Sequence, residues 1–160
     1  MSMVTVTNET NVAAPAEAVW AVLCDFDRLA DWARDIDHSC RLTERSEGVG
    51  IERRVQVGSN VVLERVTVWQ PERTLAYEIV GLPPLVGRAV NEWTLTAEGD
   101  RTRLALTAQI EPGPKPPMKL AARLLARQMG SVNKRLLRDL DFAATRTASR
   151  GSAGARSERS

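Results

Sequence analysis

Four polar side chains stand on strand-like stretches whose alternate positions are apolar, and their types could do chemistry. His38 falls in line with Ile36, Cys40 and Leu42. An imidazole titrates near neutrality and can act as a general base. Arg65 shares a face with Val61, Leu63, Thr67 and Trp69, and a guanidinium there could hold an enolate or a carboxylate. Asn91 lies between Ala89 and Trp93 and could hydrogen-bond a carbonyl. Tyr77 alternates with Leu75 and Ile79, which would aim its hydroxyl inward. Such a set suits proton movement and enolate stabilisation. Each residue also has an ordinary reading. His38 would be an edge histidine, Arg65 an exposed sheet residue, Asn91 a structural amide and Tyr77 a core tyrosine with a satisfied hydroxyl. The opposite face of the Arg65 stretch carries Val62, Glu64, Val66 and Val68, so the pattern leaves open which face points inward.

Around these stand residues that could line a binding site. Trp93, Met118, Leu125 and Met129 would offer apolar and adaptable surface, and Leu82 to Val86 is an apolar loop holding two prolines and Leu85. The tryptophans Trp20, Trp32, Trp69 and Trp93 serve core packing at least as readily as ligand contact. Gly48-Val49-Gly50 lacks the third glycine and the following helix of a dinucleotide motif. No phosphate loop or nucleophile elbow is present. No cofactor is expected. One histidine and two scattered cysteines, Cys24 and Cys40, form no metal motif and read as buried free thiols.

The 160 residues suit one domain, and 43% hydrophobic with 26% charged residues suits a globular one. No stretch approaches the roughly 18 apolar residues of a membrane span. Met1 to Thr10 is polar and lacks a signal-peptide pattern, so the expected location is cytoplasmic. The formal charge of +2 hides an asymmetry: residues 1–114 carry a net −6 and residues 115–160 a net +8. Lys119, Arg123 and Arg127 recur every four residues, and Lys134 with Arg138 continue the row. This is either a solvated helix face or a docking strip for an anionic membrane or RNA.

The elements that would position these groups follow from periodicity. Val4 to Val12 is a strand, stopped by Ala13-Ala14-Pro15. Val19, Trp20, Val22, Leu23 and Phe26 follow helical spacing, and Asp27 opens a second short helix that carries Leu29 and Trp32. The period then switches to two. Strands are expected over Ile36–Thr43, Ile51–Val57, Val61–Trp69, Leu75–Ile79, Ala89–Ala97 and Thr102–Glu111, linked by turn-rich segments such as Gly58-Ser59-Asn60 and Glu98-Gly99-Asp100. After Pro112-Gly113-Pro114 a helix of roughly 28 residues runs from Met118 to about Thr145. Its apolar stripe reads Ala121, Leu125, Met129, Val132, Leu136 and Leu140.

Hairpin-linked strands make an antiparallel sheet whose apolar face needs a cover, and the long helix is the only element large enough. The expected class is α+β. A curved antiparallel sheet of about seven strands wraps around the C-terminal helix, with two short helices after the first strand. Residues 1–145 would form the domain and 146–160 a disordered basic tail.

The stretch Ala14-Pro15-Ala16-Glu17-Ala18-Val19-Trp20, with Asp25-Phe26, Asp31-Trp32, Gln70-Pro71-Glu72-Arg73, Glu92-Trp93-Thr94-Leu95 and the turn Gly99-Asp100-Arg101-Thr102-Arg103, resembles the START-like (Bet v 1-like, SRPBCC) superfamily. The resemblance runs from residue 3 to about 145. It implies a helix-grip fold with an apolar cavity between sheet and helix, and it places Trp32 near the mouth of that cavity. It implies a hydrophobic ligand such as a lipid or polyketide, and three roles: a cofactor-independent polyketide cyclase/dehydrase, a non-enzymatic lipid or quinone carrier, or a RatA-like interaction protein that docks on RNA or the ribosome. Fold alone does not choose among them.

Overall fold

The computed structural model describes residues 3–81 and 86–157. Strand β1 (Val4–Val12) leads into helix α1 (Ala16–Leu23), a 3-10 turn (Phe26–Arg28) and the single-turn helix α2 (Leu29–Trp32). Strands β2 (His38–Arg41), β3 (Glu52–Val57), β4 (Asn60–Gln70), β5 (Thr74–Val80), β6 (Val86–Glu98) and β7 (Arg101–Pro112) follow, and helix α3 (Pro116–Ser157) ends the chain. The seven strands form one antiparallel sheet in the order β1-β7-β6-β5-β4-β3-β2. Strands consecutive in sequence from β2 to β7 are neighbours in the sheet, and β7 returns to pair with β1. The α+β architecture expected from the sequence is therefore the one found.

Alternation fixes the inner face. On β7 it presents Leu104, Leu106, Ala108 and Ile110, all fully buried, and on β6 Ala89, Asn91, Trp93 and Leu95. Strand β4 breaks the rule once. Val66 pairs with Tyr77 but Val68 pairs with Ala76, so Thr67 is an extra residue in a bulge. A bulge of one residue exchanges the two faces of a strand beyond it. Glu64 and Val66 point inward before the bulge. Trp69 turns inward after it and meets Trp20 edge-to-face, with ring centres 5.3 Å apart. Uninterrupted alternation groups Trp69 with Arg65; the bulge separates them.

Helix α3 is longer than its sequence pattern suggests. It continues past Thr145 to Ser157, and Ala148 still packs against the core. No proline follows Pro117 and alanines recur, so nothing stops propagation once the helix is nucleated. Its buried stripe is also displaced by about one position over the first half, whereas Leu136 and Leu140 are buried as the pattern predicts. The buried side chains of α3 are Ala122, Ala126, Asn133, Leu136, Leu137, Leu140 and Ala144. Gly130 belongs to this stripe: an added Cβ would lie 2.9 Å from Val6 Cγ1, and the Gly130 carbonyl accepts a 3.1 Å hydrogen bond from Asn8 Nδ2. Small residues thus let α3 press on β1 and β7, and they rotate Leu125, Met129 and Val132 to its flank. Further along, the Arg34 backbone N–H donates to Asp139 (3.0 Å), and Arg135 pairs with Asp35. These contacts tie α3 to the segment after α2.

The core divides into two apolar clusters. The larger joins α1, the 3-10 turn and α2 to the C-terminal half of α3 and the sheet. The smaller joins Ala89 and Ile110 to Ala122 and Ala126, with Val4, Val6, Ile79, Leu125 and Met129 packed around it. Among the described residues, no helix is long and apolar enough to cross a membrane.

A larger side chain at position 130 must displace β1. Gly130→Val should lower stability by about 1–3 kcal/mol in urea unfolding, and the cost should shrink in a Val6→Ala background. Equal costs in both backgrounds would show that the close approach of α3 to β1 is not what requires glycine.

Candidate functional site

Between the two apolar clusters the inner face becomes polar. Tyr77 on β5 and Asn91 on β6 are register partners and are 2% and 5% exposed. Trp93, two residues along β6 on the same face, donates from Nε1 to the Tyr77 hydroxyl at 3.3 Å. From the helix side Asn133 Nδ2 donates to Asn91 Oδ1 at 3.0 Å. Two strands and α3 thus bring a hydroxyl, two amides and an indole into one buried string.

A second buried group adjoins it. Arg53 on β3 and Glu64 on β4 are register partners, and Arg53 Nε donates to Glu64 Oε1 at 2.7 Å. Arg53 Nη1 donates to the Phe26 carbonyl at 2.7 Å. The guanidinium carbon lies 3.8 Å from the centre of the Phe26 ring and 4.7 Å from that of Tyr77. The cation is therefore held by one carboxylate, one carbonyl and two aromatic faces, which offsets the cost of taking it out of water. Among the described residues no buried side-chain nitrogen or oxygen lacks a partner.

The surroundings set the state of Tyr77. Burial pushes its pKa above the ordinary value, and the Glu64 carboxylate adds to the rise. Arg53 and the hydrogen bonds from Trp93 and Asn91 oppose it without reversing it. Tyr77 is a neutral phenol at any physiological pH. The bond from Trp93 occupies a lone pair of the hydroxyl, so its proton is not spent on that contact. Such a group can donate to a carbonyl oxygen or to an enolate; it cannot serve as a base near neutrality.

Three of the sequence candidates, Tyr77, Asn91 and Trp93, are brought together here. His38 and Arg65 are not. His38 opens the edge strand β2 and is exposed. Arg65 lies on the outer face of β4, exposed, where it pairs with Glu52 at 2.7 Å. The inward face of β4 before the bulge is the one bearing Glu64. Trp32 is half-buried, with its ring 6.3 Å from that of Trp93 and edge-on to it. It also lines an outer groove of about 270 Å³ with Val22, Asp31 and Ala143. Leu125 and Met129 are half-buried against the smaller cluster, and Met118 is half-buried at the start of α3. Leu85 lies outside the described residues.

Sequence reasoning missed Arg53, Glu64 and Asn133. The signal for the first two was a pair of opposite charges, each on a period-two apolar face: Ile51, Arg53, Val55 and Val62, Glu64, Val66. The displaced helical stripe hid Asn133. Cys24 and Cys40 are unpaired and half-buried, less enclosed than expected. Among the described residues no cluster of three His, Cys, Asp or Glu could hold a metal.

An apolar enclosed cavity was expected between sheet and helix. Grooves lined by described residues lie on the outside instead, and one of about 410 Å³ runs between β1 and the Arg123, Arg127 and Lys134 side of α3. Val62 and Ile79 face inward beside the polar string, yet they and Leu125 and Met129 on the helix flank stay partly exposed. These partly exposed apolar side chains border the polar string and mark the candidate mouth of a site.

Two outcomes follow from this geometry. Removing one member of the buried pair, as in Arg53→Met, should cost about 3–5 kcal/mol, with a much smaller cost when Glu64→Leu accompanies it. Arg65→Ala, at the exposed pair, should cost no more than about 1 kcal/mol. Equal costs at both pairs would deny the buried one its structural role. The chain has one tyrosine, so its tyrosinate absorbance reports Tyr77 alone. The folded-state pKa is raised, so its contribution to stability is complete below pH 10 and falls as the pH rises from there towards the folded pKa. The native absorbance midpoint should lie above 10 and the denatured one near 10; a native midpoint at or below 10 would contradict the assigned environment.

Comparison with known proteins agrees with this architecture. A family model described as "Polyketide cyclase / dehydrase and lipid transport" matches residues 3–143. Among solved structures, the Zhui aromatase/cyclase from Streptomyces sp. R1128 is similar at 25% identity and a TM-score of 0.74, over 91% of this chain and 95% of that one. The di-domain ARO/CYC StfQ of the steffimycin biosynthetic pathway is similar in fold at 14% identity and a TM-score of 0.76, over 92% of this chain and 52% of that one. TTHA0849 from Thermus thermophilus shares the fold at 21% identity and a TM-score of 0.70, over 91% and 99%. No curated protein matches the sequence. With its sheet, long helix and short helices in this order and most of its length matched, the chain belongs to the polyketide cyclase/dehydrase and lipid transport family.

Proposed function

We propose that the protein binds an apolar, carbonyl-bearing small molecule of polyketide type between β4–β6 and α3. The observation that carries this reading is the buried Tyr77, Asn91 and Asn133 string on an otherwise apolar face. Val62, Ile79, Leu125 and Met129 would take the hydrocarbon part. The neutral Tyr77 hydroxyl and the amides would take the carbonyl oxygens. The family and the similarity to an aromatase/cyclase support this class of ligand.

Held at fixed donors, a chain with several carbonyls loses the freedom that otherwise opposes ring closure. A hydroxyl already aimed at a carbonyl oxygen also stabilises the charge that grows there on enolisation. Cyclisation further needs a proton acceptor that works near neutrality. The one histidine, His38, is exposed on β2, and Tyr77 is shifted the wrong way for that role. This observation favours a second reading, a carrier that binds and orients its ligand without turnover.

Anthrone and its hydrocarbon analogue anthracene test the proposal as a pair, with quenching of tryptophan fluorescence as the readout. Both should bind, anthrone more tightly. Tyr77→Phe should weaken anthrone roughly up to tenfold, the worth of one neutral hydrogen bond, and leave anthracene unchanged. Equal losses for both probes, or binding of neither, would remove the carbonyl-recognition reading. Appearance of a cyclised product from a linear poly-ketone would decide for catalysis over carriage.

A further inference from the structure

We infer that the outer face of the first turns of α3 docks on an anionic lipid surface. Leu120 and Leu124 are 61% and 60% exposed, although each could have been a core residue by type. They stand four positions apart, so they share one face of the helix. Lys119, Arg123 and Arg127 border that face and are exposed. Among the described residues none of these three forms an ion pair. From Pro112 to Arg138 the chain has seven basic residues and no acidic one.

This combination selects one occupant. Two leucines pointing into water have a use where hydrocarbon is within reach, and basic side chains beside them can keep their charged ends at the headgroups while their stems lie along the apolar face. Each cation near an anionic surface contributes about 1 kcal/mol. RNA would use the charges but not the leucines. It would be read through stacked aromatics, and the exposed aromatic of α3, Phe142, lies about 27 Å further along the helix, with the Arg34 guanidinium over its ring. A second copy of the chain would bring like charges together. The docking face also adjoins Ala121 and Leu125, which lead round the helix towards the mouth described above. The docking itself does not depend on a ligand being bound there.

The test is co-sedimentation of the full chain with vesicles of phosphatidylcholine, with and without phosphatidylglycerol. Binding is expected only to vesicles containing phosphatidylglycerol and should weaken with added salt. The double variant Leu120→Ser, Leu124→Ser should bind those vesicles at least about tenfold more weakly, as should Arg123→Glu with Arg127→Glu. All four positions are exposed, so anthrone binding should survive both double variants. Tyr77→Phe should bind vesicles as the parent does, which separates failure of this surface from failure of the ligand site. The proposal is overturned if phosphatidylglycerol vesicles are not bound. It is equally overturned if the leucine variant binds as well as the parent. Tighter binding of a single-stranded RNA, unaffected by the leucine changes, would reassign the surface to nucleic acid.

Discussion

The interior is organised around one buried cation. Arg53 enters the core from β3, where a charge without compensation would cost several kcal/mol. Its compensation comes from three directions: the Glu64 carboxylate on β4, the Phe26 carbonyl in the 3-10 turn, and the rings of Phe26 and Tyr77. These contacts specify much more than a pair. They lock the register of β3 on β4, fix the turn after α1 over the sheet, and hold the Tyr77 ring against the guanidinium. The Tyr77 hydroxyl then meets Trp93, and its register partner Asn91 meets Asn133 on α3. A single chain of contacts therefore runs from the short helices through four strands to the long helix.

That chain lies where apolar packing is interrupted. On one side the larger cluster closes the sheet with α1, α2 and the C-terminal half of α3. On the other, small residues on α3 draw the helix onto β1 and β7. Helix α3 packs chiefly on β1 and β7 at one edge of the sheet and only slightly on β6. The concave face of β3–β5 is covered by the short helices at one end and left partly open at the other. The same close approach leaves Val62 on β4 and Ile79 on β5 less covered than the inner faces of β6 and β7.

The two faces of α3 divide the work. Its inner stripe is small in the first half and leucine-rich in the second, and Asn133 between them bonds to the sheet through Asn91. Its outer face carries uncompensated positive charge and two exposed leucines in its first turns. The acidic N-terminal part and basic C-terminal part of the sequence become, in three dimensions, a sheet-borne scaffold and a positively charged helical surface.

Element order, the antiparallel sheet and the long covering helix were legible along the chain. Those follow from local periodicity, turn residues and proline placement, which need no distant partner. The sequence also singled out Tyr77, Asn91 and Trp93, because a polar or aromatic residue in step with an apolar alternation is visible along one strand. Tertiary structure alone decided the rest. The bulge at Thr67 reverses a face without leaving a signature in composition, so Arg65 reads as a candidate until its strand is paired. Arg53 and Glu64 look like solvated charges singly and become a core pair only when β3 meets β4. Asn133 depends on how α3 rotates, and that rotation is set by where Gly130 and the alanines can approach β1. In each case the deciding quantity is a contact between residues far apart in the chain, which no local pattern encodes.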